Sequence, residues 1–415
     1  MIAAAGPPPR IATLDIVRGV AVLGILAMNA ISFAMPETAA LNPAVYGGTE
    51  GADLVAWAVG FVLIEGKMRG LFSLLFGASM LLVIAGAEAK GESSAAVHYR
   101  RMLWLALFGA GHLYLIWPGD ILLHYALIGA IAFLFRRLSP AQLGLWILTL
   151  LAYQLAVMGG LAAVMLEASA NAARADADAD ALRLWQDLRG SIAPLTPAAL
   201  AQDLALHRGS WWPIVEARVA EHGGTPTLAV MLNGAETLAY MLMGMAALRS
   251  GLLAGTWELP RYRWIAVAGL ALGGGGFAIV AAIMIRSGFG PAIVFAAGQG
   301  ASVVLRPPMI VGYAALIILL ARHRGWLAER LAAAGRAAFS NYLGTSLLMA
   351  LLFYGYGLGL YGRLSRAELY GVVFAIWALM LLWSKPWLAR YRYGPLEWLW
   401  RSLARWSPQP MRKPV

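Results

Sequence analysis

The chain has 415 residues, of which 60% are hydrophobic and only 13% charged, and its mean hydropathy is +0.69. A soluble chain of this size carries about a quarter charged residues, so the composition indicates an integral membrane protein. The 16 Trp and 15 Tyr suit aromatic belts at the two interfaces. With no Cys, disulfides, thiolate nucleophiles and Cys-ligated metals are excluded. The net charge of +11 does not argue for nucleic acid, because the basic residues sit in short loops between apolar runs.

The apolar pattern predicts an all-α polytopic bundle of about ten transmembrane helices, each of roughly 20 residues. They fall near 14–35, 54–87, 101–118, 121–136, 141–166, 226–248, 264–285, 291–321, 337–357 and 367–385. The first run is too long for a signal-peptide core and is interrupted by Arg18. It carries Asp15 and Arg18, three residues apart and on one helical face, with Asn29 eleven residues on. Ionisable groups in a span are costly, so this helix is read as part of a site as well as an anchor.

The second and eighth runs are too long for simple spans and have polar interruptions, Glu65-Gly66-Lys67-Met68-Arg69-Gly70 and Arg306-Pro307-Pro308. A bent or broken helix, or an interfacial helix followed by a span, is expected at each. Lys67, Arg69 and Arg306 could hold a phosphate; for Lys67 and Arg69 the carboxylate of Asp15 or Asp53 is another partner, and snorkelling to an interface is the structural alternative.

A second candidate site runs from Gly111-His112 through Pro118-Gly119-Asp120 to His124. Pro118-Gly119 signals a turn. Asp120 then suits the start of the next helix, with His124 at i+4 on its face. Two His and one Asp are expected to converge near the outer surface, where an Asp-oriented His makes a general base. No spacing typical of a metal site stands out.

The stretch 167–225 is hydrophilic, opens with an Ala/Asp tract and contains Trp185, Trp211 and Trp212. Short amphipathic helices capping an outward cavity and a partly ordered linker are both compatible with it. Three regions follow: 1–166, with the charged motifs; 167–225, an extracytoplasmic loop; and 226–415. In the last, Gly273–Gly276 reads as a helix-packing face, Ser340, Asn341 and Ser346 as interhelical hydrogen bonders, and the basic, aromatic segment after Pro395 as an interfacial helix.

Most of the 32 basic residues, among them Arg10, Arg18, Arg100, Arg101, Arg324, Arg336 and Arg401, share one side if the N-terminus is inside. The positive-inside rule therefore predicts cytoplasmic N- and C-termini.

These segments resemble the YeiB-type family of bacterial membrane proteins, which end in domain of unknown function 418. The resemblance is carried by Leu14-Asp15-Ile16-Val17-Arg18-Gly19 to Asn29, Glu65-Gly66-Lys67-Met68-Arg69, Gly111-His112 with Gly119-Asp120, and Gly335-Arg336 through Ser340-Asn341-Tyr342. It is carried most specifically by Gly394-Pro395-Leu396-Glu397-Trp398-Leu399-Trp400-Arg401. The Leu-Asp-x-x-Arg-Gly start is more distantly similar to the transmembrane acyltransferase superfamily. In its acyltransferase-3 branch a His commonly stands eleven residues after the Arg; here that position is Asn29, as in the heparan-type branch. That branch takes its His from the following loop, which has none here between Asn29 and Asp53.

The function expected is acyl transfer in the bacterial cytoplasmic membrane. An acyl-CoA donor substrate, with no tightly bound cofactor or metal, would serve a glycan or lipid acceptor at the outer face. Asp15, Arg18, Glu65, Lys67, Arg69 and Arg306 would bind substrate. His112 or His124, oriented by Asp120, would be the base, and Asn29 would donate to the oxyanion. Membrane lipids are the expected partners, nucleic acid is not, and a homo-oligomer stays open. A small-solute transporter, suggested by the interrupted helices, and a non-catalytic scaffold are the alternatives.

Overall fold

The computed structural model describes residues 11–190, 192–323 and 325–413; Arg10 and Arg324, counted above for orientation, lie outside them. Among the described residues the chain is helical throughout, with no strand and one isolated bridge between Tyr391 and Arg412. Seven helices are long and apolar enough to cross a membrane, and two shorter apolar ones, Leu122–Phe135 and Ala338–Phe353, accompany them. The protein is therefore a multi-pass membrane protein.

Helix α1, Ala12–Ala34, is about 35 Å long at 1.5 Å per residue, enough for the hydrocarbon core. It is the central post: 78% of its apolar window is buried inside the protein. The 38-residue run Gly51–Glu88 breaks into α2, Gly51–Leu63, and α3, Lys67–Glu88. The break expected at Glu65–Gly70 is present, and Gly66 adopts a left-handed φ of 71°, a conformation costly for a residue with a Cβ. Helix α4, Ser94–Gly111, is capped by the Ser93 hydroxyl and ends in a π-helical turn, His112–Ile116. Trp117 is extended, and α5 follows at Leu122–Ala132.

Helix α6, Pro140–Ala172, continues six residues past the expected end of its span. The hydrophilic stretch then forms α7, Ala179–Arg189, α8, Pro197–His207, and α9, Trp211–His222. They fold back on the bundle. Trp211 Nε1 and Arg218 donate to the Leu115 and Tyr114 carbonyls, two acceptors of the π-helical turn, and Arg208 Nε donates to the Tyr361 carbonyl at 2.8 Å.

Helices α10, Thr225–Arg249, and α11, Leu259–Arg286, precede a composite span: α12, Pro291–Phe295, a π-helical turn Ala296–Ala301, and α13, Ser302–Ala321. The interruption expected at Arg306-Pro307-Pro308 is not there. Both prolines lie inside α13, and the helix changes pitch upstream instead. Prolines can sit within spans where local π adjustments and neighbouring groups re-satisfy the freed backbone. Of the four consecutive glycines on α11, Gly273 and Gly276 lie against Met309 and Leu305 of α13, as a close-packing face requires.

The chain ends with α14, Trp326–Arg336, α15, Ala338–Phe353, α16, Arg366–Arg390, and α17, Pro395–Arg405. Two sequence motifs meet where α14 crosses α1. A Cβ at Gly19 would overlap the Leu331 carbonyl, and one at Gly335 would overlap the Asp15 carbonyl. The two backbones touch only because both positions are glycine.

Candidate functional site

Two polar centres lie within the bundle. The first is a cavity of about 200 Å³ between α1, α3, α4, α5, α15 and α17. Its rim carries Arg18, Arg101, Arg336 and Arg401 against one carboxylate, Glu397. Its walls are apolar, with Phe72, Phe76, Met80, Met102, Leu105 and Phe339, and it ends at Ile121, Leu122, Tyr125 and Tyr342. Arg18 reaches Asp15 Oδ1 at 3.1 Å, the helical i+3 pair expected from sequence, and Ser79 Oγ at 2.8 Å.

The C-terminal helix closes one side of this cavity through Glu397. One of its oxygens accepts from the backbone N–H groups of Phe339 at 2.6 Å and Ser340 at 3.0 Å, the other from Ser340 Oγ at 2.6 Å. A carboxylate there satisfies free N–H groups at the start of α15 and complements the helix dipole. Burial pushes the Glu397 carboxyl up from its ordinary range, against the pull of these donors. Trp400 Nε1 donates to the Arg101 carbonyl at 3.0 Å, and the Arg101 guanidinium lies over the Trp400 ring. The specific Gly-Pro-Leu-Glu-Trp-Leu-Trp-Arg segment thus builds cavity wall.

Beyond the closed end of the cavity, His112 Nδ1 meets Asp120 Oδ1 at 2.8 Å, with both side chains buried. The other Asp120 oxygen accepts from Leu123 N at 2.7 Å, capping α5. One carboxylate therefore fixes both the helix start and the imidazole. With Asp120 accepting from Nδ1–H, Nε2 carries the lone pair, and it is buried without a hydrogen-bond partner. The Tyr342 ring lies 5.3 Å from the His112 ring and also lines the cavity, so one side chain separates the dyad from the open space. His112 and Asp120 themselves do not line it.

The expected convergence of His124 with this pair does not occur. His124 Nε2 is 2.9 Å from Thr237 Oγ1 on α10; although at i+4 from Asp120, it follows the turn that precedes α5 and faces a different helix. Asn29 is buried on α1, one turn before Phe33, whose ring stacks on Trp117 at 4.4 Å. Trp117 in turn lies 6.1 Å from the His112 ring.

The second centre is a buried charge cluster. Glu236 on α10 is 3.0 Å from Arg69 of α3 and 3.0 Å from Arg306 of α13, and it accepts from Tyr240 Oη at 2.7 Å. Arg306 also donates to Gly298 O in the π-helical turn. Lys67 is fully buried, donates to the Phe61 carbonyl and sits 3.3 Å over the Phe277 ring. The partners suggested for Lys67 and Arg69, Asp15 and Asp53, are engaged elsewhere. Asp15 pairs with Arg18, and Asp53 Oδ1 accepts from Ala367 N at the start of α16. Glu65 lines a separate small cavity of about 20 Å³ with Trp57, Phe61 and Tyr370.

Sequence reasoning missed Glu236, although it is the sole charged residue in the apolar run 226–248 and an intramembrane carboxylate is a signal in itself. It also missed Arg101, Arg336 and Arg401 as cavity residues; Arg101 entered only the orientation count, and Arg336 and Arg401 entered that count and the family resemblance.

The fold and sites define a multi-pass helical membrane protein with a buried histidine–aspartate pair beside an arginine-rimmed apolar cavity. Comparison with known proteins supplies the family. Residues 247–407 match the family model described as "Protein of unknown function (DUF418)". The chain is 33% identical over 414 residues to "Uncharacterized protein YeiB" of Escherichia coli (strain K12), covering 95% of this chain and 96% of that protein. It is 30% identical over 432 residues to "Uncharacterized protein YxaH" of Bacillus subtilis (strain 168), covering 97% and 96%. The chain belongs to this YeiB-type DUF418 family. No solved structure matches it.

Proposed function

We propose that this protein is an acyltransferase of the bacterial cytoplasmic membrane. In this reading about ten helical segments cross or enter the bilayer, both termini are cytoplasmic, and 167–225 forms an outer cap. The donor is a cytoplasmic acyl-CoA and the acceptor a glycan or lipid hydroxyl or amine at the outer face. The observation that carries this reading is the His112–Asp120 pair, with a buried, unpartnered Nε2, beside Tyr342, which lines a cavity that four arginines also line.

The chemistry follows from the placement. Arg18, Arg101, Arg336 and Arg401 would hold the donor's phosphates through charge-assisted hydrogen bonds. The apolar walls would take the pantetheine arm and acyl group. His112 follows Arg101 by eleven residues along α4, about 16 Å of helical rise, a distance that an extended pantetheine arm can cover. His112 Nε2 would take the acceptor's proton as it attacks the thioester carbonyl, then return it to the leaving thiolate. Asp120 holds the tautomer and stabilises the imidazolium. Asn29 would donate to the developing oxyanion. Arg69 and Arg306, placed with substrate on sequence grounds, are assigned instead to the Glu236 cluster, and Lys67 to the Phe61 carbonyl and the Phe277 ring.

Purified protein incubated with radiolabelled acetyl-CoA and a membrane glycan and lipid extract should yield a labelled acceptor, and the His112→Ala variant none. Wild-type protein that neither labels an acceptor nor binds CoA overturns the proposal.

A transport reading draws on the broken α2–α3 pair and its buried charges, a feature of solute sites in transporters. Proton-coupled uptake into proteoliposomes, lost in Glu236→Gln, would favour it over acyl transfer.

A further inference from the structure

Three polar atoms on rings around His112 are buried without hydrogen-bond partners. They are His112 Nε2, Tyr342 Oη and Trp117 Nε1. Their side chains are 1%, 4% and 3% exposed. The rings of Tyr342 and Trp117 lie 5.3 and 6.1 Å from that of His112. Leaving such groups unsatisfied costs about 1–3 kcal/mol each. Buried polar groups are nearly always paired, so a cluster of orphans needs an explanation such as a catalytic role or an unseen partner. Here one orphan is an acceptor and two are donors.

The placement of Tyr342 distinguishes it within this cluster. It stands in the first turns of α15, lines the cavity and touches the His112 ring. Its hydroxyl lies beside the Ile121 backbone, next to Asp120, without a hydrogen bond inside 3.5 Å. Tyr342 is thus in contact with both the cavity and the His112 ring.

We infer that Tyr342 is a catalytic residue whose hydroxyl donates a hydrogen bond to the carbonyl oxygen of the acyl group. This rests on the acyl-transfer reading and goes beyond it by giving the carbonyl oxygen a further donor besides Asn29. In the step, the acceptor O–H proton passes to His112 Nε2 as the acceptor oxygen bonds to the acyl carbon. The C=O π pair moves onto the carbonyl oxygen, which accepts from Tyr342 Oη–H. Collapse of that oxyanion breaks the C–S bond, and the thiolate takes the proton from Nε2. Tyr342 keeps its proton throughout.

Tyr342→Phe removes the donor and keeps the ring. Two measurements test it, each made on full-length protein whose melting temperature in detergent stays within a few degrees of wild type. The first is turnover with acetyl-CoA: kcat should fall about 10²- to 10³-fold, the usual cost of one oxyanion donor, while donor KM changes less than twofold. The second uses an unreactive ketone analogue of acetyl-CoA, labelled with ¹³C at the carbonyl. Its carbonyl resonance should move downfield on binding wild type and lose that displacement in Tyr342→Phe, with His112→Ala retaining it. Full kcat in Tyr342→Phe, or an identical bound resonance in both proteins, overturns the role of Tyr342 while leaving acyl transfer intact. A probe that binds with the Tyr342-dependent displacement to a wild type that never turns over upholds the contact and sinks the acyl-transfer reading. Absence of both turnover and probe binding overturns the two together.

Discussion

The two polar centres of this bundle are built from similar residues and differ in how they are satisfied. At Glu236 every oxygen has a cationic or phenolic donor, and the cluster ties α3, α10 and α13 together where α2 breaks into α3. At His112 the arrangement is incomplete: Asp120 is fully used, but Nε2, Tyr342 Oη and Trp117 Nε1 are not, and of these residues Tyr342 lines the cavity. Charge within a membrane marks both a structural tie and a reactive site. Pairing alone does not separate them, because Arg306 Nε in the first cluster is also buried without a partner; the His112 pair differs in standing beside Tyr342, which lines the large cavity.

Substitutions can break this contrast. The largest effect is expected at the dyad, where His112→Ala should lower acyl transfer about 10²- to 10⁴-fold, the range for a general base, with little change in detergent melting temperature. Glu236→Ala should do the opposite. It strands the buried Arg306 guanidinium and the partly buried one of Arg69, and losing one partner of a buried ion pair costs about 3–5 kcal/mol, read as a loss of folded protein by size-exclusion chromatography. Replacing Arg69, Glu236 and Arg306 together by Met should restore much of that stability, because no uncompensated charge remains; activity recovered with it would confirm a purely structural tie.

Two smaller effects sharpen the picture of the cavity. Gly335→Ala forces α14 away from the Asp15 carbonyl, and an overpacking cost of about 1–3 kcal/mol should appear in thermal unfolding. Because Arg336 and Arg18 are on the two elements displaced, donor affinity should fall as well. Arg401→Gln leaves the α15 cap made by Glu397 in place and removes one rim charge. Donor KM should rise roughly tenfold with kcat unchanged, in line with the loss of one charged hydrogen bond.

Much of the architecture was legible because hydropathy in a bilayer leaves the backbone few choices. The break at Gly66, the α17 start at Pro395 and the Asp15–Arg18 pair all followed from local chemistry. Within the site, the Asp120–His112 contact was legible from the Pro118-Gly119 turn, which folds two sequence-near groups together. The long-range partners were not. Glu236 lies 167 residues from Arg69 and 70 from Arg306, and helix periodicity says which residues share a face without saying which face it meets. His124 failed for that reason: its i+4 spacing was right, yet α10 supplied Thr237. The break in the eighth run falls at Ala296–Ala301 and not at Arg306-Pro307-Pro308, which stays helical.

The most direct test uses sealed inside-out membrane vesicles, in which the cytoplasmic face is outward. Labelled acetyl-CoA supplied outside should acylate an acceptor confined to the lumen when wild-type protein is present, and Asp120→Asn should abolish the transfer without lowering the amount of folded protein. Label that stays on CoA in wild-type vesicles, or transfer that survives unchanged in Asp120→Asn, would contradict the assignment of the His112–Asp120 pair as the catalytic centre.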